Sequence, residues 1–407
     1  MPDLTTPGRV RRRSSNRGLS NQNLRRQHQS QTDDAWGDRY KKRQPNTLRI
    51  AFLNIQGLPL LPFAPKHAQL GAIAHKLKCE FFGLAELNLQ FNYIRSSAQW
   101  KERFRRFPRH HSIHATNRNF PKNPSPTLFG GVGQFSFSTL SHCALSSGID
   151  PTGLGRWVWT RYQGRNGCTL RLITGYRPNP DHSDSTSTVF SQQQRFLLEE
   201  NDDRDPRLVF LEDLGTSIAT WQSLGDQIVL CLDANEYVRS GDIHQFTRRW
   251  GLVDVHHARH PHLQPTATCS KSSTHTPIDG IWASRSIRIV SSGYLGFDEL
   301  QLNYTDHRLL WVDLDLTSAL QHPRPIQPYR PPMRLSLQDP RVVRKYNNIV
   351  RQQYSQINLP ARLFALQAKL PRFTQEDSIE YNKLASADYY IRRSAHQRCR
   401  KLRMGRY

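Results

Sequence analysis

Polar side chains stand at the ends of several strand-like runs of this sequence. Asn54 closes a run that starts at Leu48, and Asp233 directly follows the apolar run Ile228–Leu232. Strand ends from distant parts of a chain can converge on one cleft. The residues placed in this way are Asn54, Glu86, Tyr176, Asp233, Asn235, Asp279, Asp306 and His307. We therefore treat them as one candidate site.

The residue types at these positions suit one kind of chemistry. Carboxylate and amide oxygens are hard donors that bind Mg²⁺. A metal ion flanked by asparagine and histidine stabilises the negative charge that develops when a phosphodiester is attacked, and a neighbouring acid can orient or deprotonate the attacking water. Each motif alone has a simpler explanation, since Asp233-Ala-Asn235 could cap a helix and Asp306-His307 could form a surface turn. Their occurrence together favours metal-dependent hydrolysis of a phosphodiester.

Six short motifs carry a resemblance to a known superfamily. In chain order they are Asn54-Ile-Gln-Gly57, Leu84-Ala-Glu86, Thr174-Gly-Tyr176-Arg-Pro-Asn179, Leu232-Asp233-Ala-Asn235, Ile278-Asp279-Gly-Ile-Trp282 and Thr305-Asp306-His307. The set resembles the endonuclease/exonuclease/phosphatase superfamily. It is most similar to the endonuclease domain of LINE-type (non-LTR) retrotransposon reverse transcriptase proteins. The resemblance spans residues 48–316 and keeps the order of the family's motifs.

The resemblance implies a Mg²⁺ site, with Mn²⁺ as a substitute. Glu86 corresponds to the principal metal ligand, Asn54 lies beside it, and Asp306 is expected near the metal or in a role that positions its loop. Gln56 stands where abasic-site nucleases of the superfamily carry an acid. This departure disfavours a DNA-repair enzyme and a second metal ion at that position.

The resemblance also implies catalytic roles for the other residues of the site. Asp233 would activate the water, Asn235 would position the water or the phosphate, His307 would stabilise the transition state, Asp279 would orient that histidine, and Tyr176 would donate to a phosphate oxygen. Two further departures are Leu232, where the family often has glycine, and Thr305 in place of the commoner serine. Neither removes a functional group from the site.

The order of the predicted elements favours an α+β fold. We expect a four-layer α/β sandwich of two packed mixed β-sheets flanked by helices, rather than one doubly wound parallel sheet. The predicted strands are Leu48–Ile55, Cys79–Ala85, Gly131–Ser138, Trp157–Tyr162, Thr169–Tyr176, Gln227–Leu232, Ile278–Ser284 and Leu309–Leu316, and the predicted helices between them are His67–Lys78, Val189–Glu200 and Leu214–Leu224.

The charges divide the chain into regions. Residues 1–50 hold 12 basic and 4 acidic residues, and residues 321–407 hold 18 basic and 5 acidic ones, whereas the middle is nearly neutral. We predict a disordered basic arm over 1–46, the sandwich domain over 47–317, a Pro-rich linker over 318–340 and a basic helical segment over 341–407. Basic flanks favour a nucleic-acid partner whose affinity falls with rising salt.

Several classes of protein are disfavoured. No apolar run reaches the ~18 residues of a membrane helix, and the six cysteines show no paired spacing. We therefore expect a reduced intracellular protein, nuclear or cytoplasmic, with no membrane partner. The segment from Ser394 resembles the Cys-Arg-Lys-Leu-Arg link between endonuclease and reverse transcriptase, so a reverse transcriptase domain in cis is expected in a full-length product.

The function that follows is a Mg²⁺-dependent endonuclease. It would hydrolyse DNA phosphodiester bonds to leave a 3′-hydroxyl, as the target-nicking domain of a non-LTR retrotransposon protein that also binds the element RNA. Two alternatives stay open. One is a phosphatase or phosphodiesterase of the same superfamily that acts on inositol phosphates or lipids, and the other is a catalytically dead fragment that binds nucleic acid.

Overall fold

The chain divides into two units, Met1–Tyr329 and Arg330–Tyr407. The computed structural model describes residues 35–40, 43–61, 64–94, 98–105, 107, 110–119, 125–181, 187–272, 275–300, 305–321, 339–370 and 374–399. The predicted arm up to residue 34, the Pro-rich stretch 322–338 and the tail 400–407 lie outside these described residues. Among the described residues, every helix is too short or too polar to span a bilayer.

The strands of the first unit form two mixed sheets. In chain order they are β1 (Trp36–Gly37), β2 (Thr47–Asn54), β3 (Phe81–Ala85), β4 (His110–Ala115), β5 (Val132–Phe137), β6 (Ala144–Ile149), β7 (Trp157–Gln163), β8 (Thr169–Tyr176), β9 (Asp226–Asp233), β10 (Leu252–Asp254), β11 (Asp279–Ser284), β12 (Ile289–Tyr294) and β13 (Leu310–Asp315). The first sheet has the order β1-β12-β13-β2-β3-β5-β4, and the second has the order β10-β11-β9-β8-β7-β6. Each sheet contains one parallel pair, β2 with β3 and β8 with β9.

Helices connect and cover these strands. They are α1 (Pro65–Leu77), α2 (Trp100–Arg103), α3 (Ser138–His142), α4 (Val189–Glu199), α5 (Pro206–Ser223), α6 (Gly241–Arg249), α7 (Val255–Arg259) and α8 (Leu316–Leu320), with 3₁₀ turns at Phe91–Tyr93 and Phe297–Leu300. The second unit consists of α9 (Pro340–Gln356), α10 (Leu359–Gln367) and α11 (Gln375–Arg398), which meet around Leu359, Leu366 and Leu384.

The two sheets pack face to face around a shared apolar core. Side chains alternate between the faces of a strand, and every residue of β2 is buried. Ile50 and Phe52 therefore join the core between the sheets, while Ala51 and Leu53 join the layer that contains residues of α1. Burying a large apolar side chain contributes about 1.5–3 kcal/mol, so a strand buried on both faces is a strong anchor.

A second outer layer covers the other sheet. Phe210, Leu214 and Ile218 of α5 share an apolar cluster with Leu230 of β9 and Trp282 of β11. The helix starts at Pro206 because the Asp205 carboxylate caps it, accepting a hydrogen bond from the backbone nitrogen of Arg207 at 2.6 Å. The layers are thus helix, sheet, sheet and helix, which confirms the predicted sandwich.

Some elements differ from the sequence-based expectations. Strands β4, β6, β10 and β12 were not predicted, because their polar or half-buried residues break the apolar pattern. Helix α5 begins well before the predicted Leu214. Within the arm predicted to be disordered up to residue 46, Trp36 lies in β1 and stacks on the Tyr294 ring at a centroid distance of 4.8 Å. This aromatic contact holds the strand at the edge of the first sheet.

A close approach between the sheets gives a prediction about stability. A Cβ atom added at Gly83 of β3 would lie 2.6 Å from Thr174 Oγ1 and 3.2 Å from Phe52 Cδ2. We expect Gly83→Ala to lower the free energy of unfolding by about 1–3 kcal/mol, measured by urea denaturation, because the buried contact cannot relax freely.

The double variant Gly83→Ala/Thr174→Ala provides the control. Alanine at 174 removes the closest atom, so the double variant should lose less free energy of unfolding than the sum of the single variants. Additive losses, or a Gly83→Ala protein as stable as the parent, would show that the sheets do not press together at this point.

Candidate active site

The strand ends bring the candidate residues to one edge of the sandwich. Asn54 ends β2, and Glu86 follows the end of β3, its parallel neighbour. In the second sheet, Tyr176 of β8 and Asp233 of β9 are register partners in the other parallel pair. Asp279 at the start of antiparallel β11 pairs with Asp233. Parallel neighbours end at the same edge of a sheet, and this edge is where the two sheets place their polar residues.

Asp233 is a fully buried carboxylate held by two donors. Its Oδ1 accepts a hydrogen bond from the backbone nitrogen of Asn235 at 3.0 Å, and its Oδ2 accepts one from Asn54 Nδ2 at 2.8 Å. Burial raises the pKa of Asp233 well above its usual range, and the negative charges of Asp279 and Glu86 raise it further. The nearby His307 opposes this rise without cancelling it.

His307 is oriented by Asp279. Its Nδ1 lies 2.8 Å from Asp279 Oδ2, and both side chains are buried. Burial alone would lower the pKa of His307, but the charge and hydrogen bond of Asp279 outweigh burial and raise it well above its ordinary value. The imidazole is therefore held in its charged form, with Nδ1 used by Asp279 and Nε2 lying 3.8 Å from Asp306 Oδ1.

Tyr176 connects Glu86 with Asn235. Its hydroxyl is in hydrogen-bond contact with both side chains, and burial together with the charge of Glu86 raises its pKa well above the ordinary value. Tyr176 thus stays a neutral hydroxyl donor. Asn235 adopts a left-handed backbone conformation with φ of 49° and donates from Nδ2 to the Arg177 carbonyl at 2.7 Å. In this turn the backbone nitrogen of Asn235 donates to Asp233, while its side-chain amide is held by the Arg177 carbonyl.

Two predicted metal ligands already have protein partners. Asn54 uses Nδ2 for Asp233 and accepts from the backbone nitrogen of Gln56 at 2.9 Å. The Oδ2 of Asp306 lies 2.9 Å from Lys271 Nζ and accepts from Gln56 Nε2 at 3.4 Å. Its Oδ1 lies 3.8 Å from His307 Nε2. The structure therefore brings both residues to the site and leaves Oδ1 of Asp306 facing it.

Two residues of the site were not predicted. Lys66, at the start of α1, is buried and donates from Nζ to the Ile55 carbonyl. Burial lowers its pKa to about 8, against the opposing charges of Asp306 and Glu86. Cys269 is hydrogen-bonded to His307. Neither residue belongs to a motif with recognisable spacing, so no sequence signal marks them.

The donor set is compatible with a divalent cation of the Mg²⁺ type. Carboxylates of Glu86, Asp233 and Asp279 repel one another strongly enough to raise the pKa of Asp233, and Oδ1 of Asp279 is buried without a hydrogen-bond partner among the described residues. Carboxylate oxygens of Asp233 and Asp279 lie within 4.8 Å of one another. Hard oxygen donors with excess negative charge are what Mg²⁺ and Mn²⁺ require.

A cavity of about 330 Å³ opens beside this cluster. Glu86 and Tyr176 lie at its polar end, and Phe129, Val189 and Phe190 provide apolar walls. Phe129 is half exposed at 50%. The cavity therefore offers an aromatic surface directly next to the candidate catalytic groups.

Comparison with known proteins adds the following. No family model and no curated protein matches the chain. The chain is similar to the human Nocturnin catalytic domain, with 14% identity, a TM-score of 0.46 and coverage of 67% of this chain and 95% of that one. It is also similar to an AP endonuclease from Archaeoglobus fulgidus, with 14% identity, a TM-score of 0.44 and coverage of 65% and 98%.

A third similar structure is an endonuclease/exonuclease/phosphatase from Beutenbergia cavernae, with 13% identity, a TM-score of 0.44 and coverage of 67% of this chain and 72% of that one.

The electrostatics of the site predict a specific pH response. Asp279→Asn keeps the shape of the side chain but removes the charge that raises the pKa of both Asp233 and His307. Asp233 would then ionise at lower pH, and His307 would lose its proton at lower pH. We expect both limbs of the pH profile of kcat/KM, for the phosphodiester hydrolysis that the sequence motifs predict, to move down by about 1 pH unit or more.

The maximum rate should also fall, because His307 is less well oriented in this variant. A profile that keeps its position, or that moves to higher pH, would contradict the assigned electrostatic role of Asp279.

Proposed function

We propose that this chain is a Mg²⁺-dependent endonuclease that hydrolyses DNA phosphodiester bonds and leaves a 3′-hydroxyl. One observation carries the proposal. Asp279, the register partner of the buried carboxylate Asp233, fixes Nδ1 of a charged histidine, His307. When water attacks a phosphodiester, a base must accept a proton from the water and a cationic donor must stabilise the charge on the phosphate. The site places these two groups side by side.

Asp233 acts as the base in this proposal. Each of its oxygens accepts one hydrogen bond from the protein, from Asn235 or Asn54, and each keeps a further lone pair for a water molecule. Because burial and neighbouring charges raise its pKa, the ionised carboxylate is a stronger base than an exposed aspartate. Asn54 and Asn235 keep it pointing at the water.

His307 and Tyr176 act on the phosphate. The Asp279 carboxylate keeps His307 charged and occupies Nδ1, so Nε2–H is the proton available to a phosphate oxygen. The neutral hydroxyl of Tyr176 is a second donor at the same edge. Donors fixed before the reaction stabilise developing charge without reorganisation.

Glu86, with Asn54 and Oδ1 of Asp306 nearby, would hold the Mg²⁺ ion. When bound, the ion would withdraw charge from the phosphate and help to orient it. The ion would also give the carboxylates of the site a counter-charge, which would lower the pKa of Asp233.

Two features favour a nucleic acid over an inositol phosphate or a lipid. The cavity beside Glu86 places the rings of Phe129 and Phe190 where a base next to the attacked phosphate could stack. The basic flanks would bind the phosphate backbone of a polynucleotide with an affinity that does not depend on its sequence. Arg344 and Lys345, two exposed residues of α9, contribute to the positive charge of the C-terminal flank.

The biological role that we propose is nicking of target DNA for a non-LTR retrotransposon. The support for this role is the motif set and the resemblance of the segment from Ser394 onward, which together favour element RNA and a reverse transcriptase domain in cis as partners. Most of that short segment, residues 400–407, lies outside the described residues.

Nicking of supercoiled plasmid by the purified chain tests the proposed activity. We expect nicking in Mg²⁺ and none in EDTA, and nicks that a DNA polymerase can extend, because their 3′ ends carry hydroxyl groups. Asp233→Asn should lower the rate at least about 100-fold, the usual contribution of general base catalysis. Its stability should change little, because removing a buried charge that Asp279 and Glu86 repel offsets the loss of one hydrogen bond from Asn235 or Asn54.

Asp226→Asn is the matched control. Asp226 is also buried and begins the same strand that Asp233 ends, but it pairs with Arg161 and Arg171 away from the site. This variant should lose stability and keep its rate per folded molecule. Phosphate release from inositol phosphates without nicking would favour a phosphatase, and DNA binding without hydrolysis of either substrate would favour a dead binding fragment.

A further inference from the structure

Cys269 and His307 face each other across a short backbone bridge. They are partners in an antiparallel bridge that lies outside the main strands. Two backbone hydrogen bonds of 2.7 Å flank the pair, from Ser270 to Asp306 and from Arg308 to Thr268. Directly opposed residues of an antiparallel pair project their side chains to the same side. The thiol and the imidazole are therefore brought together by the backbone itself.

His307 has the hydrogen-bonding arrangement that is usual for metal-binding histidines, with a carboxylate on one ring nitrogen and the other nitrogen directed at the metal. Its Nδ1 is taken by Asp279 Oδ2 at 2.8 Å, so its contact with Cys269 falls on Nε2. A carboxylate on one ring nitrogen fixes the ring and increases the basicity of the other nitrogen, which is the common second partner of a zinc-bound histidine.

Asp306 completes a mixed set of donor atoms. Ligand atoms of Cys269, Asp306 and His307 all lie within 4.8 Å of one another, and Oδ1 of Asp306 is 3.8 Å from His307 Nε2. Bonds of about 2.0–2.3 Å in a tetrahedral zinc site place ligand atoms about 3.3–3.7 Å apart. Small rotations of these three side chains would therefore bring their ligand atoms to the distances of a tetrahedral zinc site.

We propose that Cys269, His307 and Asp306 form a binding site for a thiophilic divalent cation such as Zn²⁺, which shares Asp306 with the proposed Mg²⁺ site at Glu86 and adds the sulfur and nitrogen ligands that Mg²⁺ does not use. Sulfur, nitrogen and oxygen ligands select zinc over magnesium. Binding releases the protons of the thiol and of Nε2 to solvent. Water or a phosphate oxygen would take the fourth position.

Occupancy of this site has a functional consequence that rests on the proposed nuclease activity. The cation uses Nε2 of His307, the atom assigned to the scissile phosphate, so Zn²⁺ inhibits hydrolysis even when Mg²⁺ saturates its own site. Lys271 acts in the opposite direction, because its Nζ lies 2.9 Å from Asp306 Oδ2 and competes with a cation for that carboxylate. It is mostly exposed and can move away.

Titration of the full chain with Co²⁺ tests the site without reference to activity. A thiolate bound to Co²⁺ gives a charge-transfer band in the near ultraviolet, which Zn²⁺ added afterwards should abolish. Cys269→Ser should lose the band, and Cys168→Ser should keep it, because Cys168 belongs to none of the candidate metal clusters among the described residues. Lys271→Met should bind Co²⁺ more tightly.

The second readout is the inhibition of plasmid nicking by Zn²⁺ at saturating Mg²⁺. The rate of each variant in Zn²⁺ is divided by the rate of the same variant without Zn²⁺. Cys269→Ser should raise the half-inhibitory Zn²⁺ concentration at least about tenfold. No cobalt band in the parent chain, or a band that survives Cys269→Ser, would overturn the site. A Cys269-dependent band in a chain that never nicks DNA would support the metal site and count against the nuclease.

Discussion

The candidate site depends on how the protein tolerates two carboxylates buried side by side. Asp233 and Asp279 are register partners on adjacent strands, and neither is more than 1% exposed. Two like charges buried next to each other lower the stability of a fold unless a counter-charge and hydrogen bonds accompany them. His307 supplies the charge, and Asn54 and the backbone of Asn235 supply hydrogen bonds. The same arrangement keeps a base and an acid close together.

The sandwich is what makes this arrangement rigid. The site residues come from both sheets: Asn54 at the end of β2 donates to the carboxylate of Asp233 at the end of β9, and this hydrogen bond crosses the sheet interface. The strands behind them are buried on both faces. A shift of one sheet against the other would therefore break the site, so core packing and catalysis are expected to be sensitive to the same contacts.

Sequence patterns predicted those parts of the structure whose physical signal is local. Strand β8 has the predicted bounds because aliphatic and β-branched residues make up most of the run from Thr169 to Tyr176, and Arg177-Pro178 ends it. Strand β4 was missed, since its histidines are half-buried and give no alternation. The motifs predicted which polar residues gather at the site. They could not indicate Lys66 or Cys269, whose positions depend on a helix start and a backbone bridge formed only in the folded chain.

The most direct measurement is a double-mutant cycle on the rate of plasmid nicking in Mg²⁺ with Asp279→Asn, His307→Ala and the double variant. At a pH high enough to ionise Asp233 in every variant, Asp279 acts on the rate through His307, so its substitution should cost almost nothing once His307 is alanine, although His307→Ala alone lowers the rate about 100-fold or more. Losses that multiply would show that the two residues act independently. A parent chain that is folded and does not nick would contradict the account altogether.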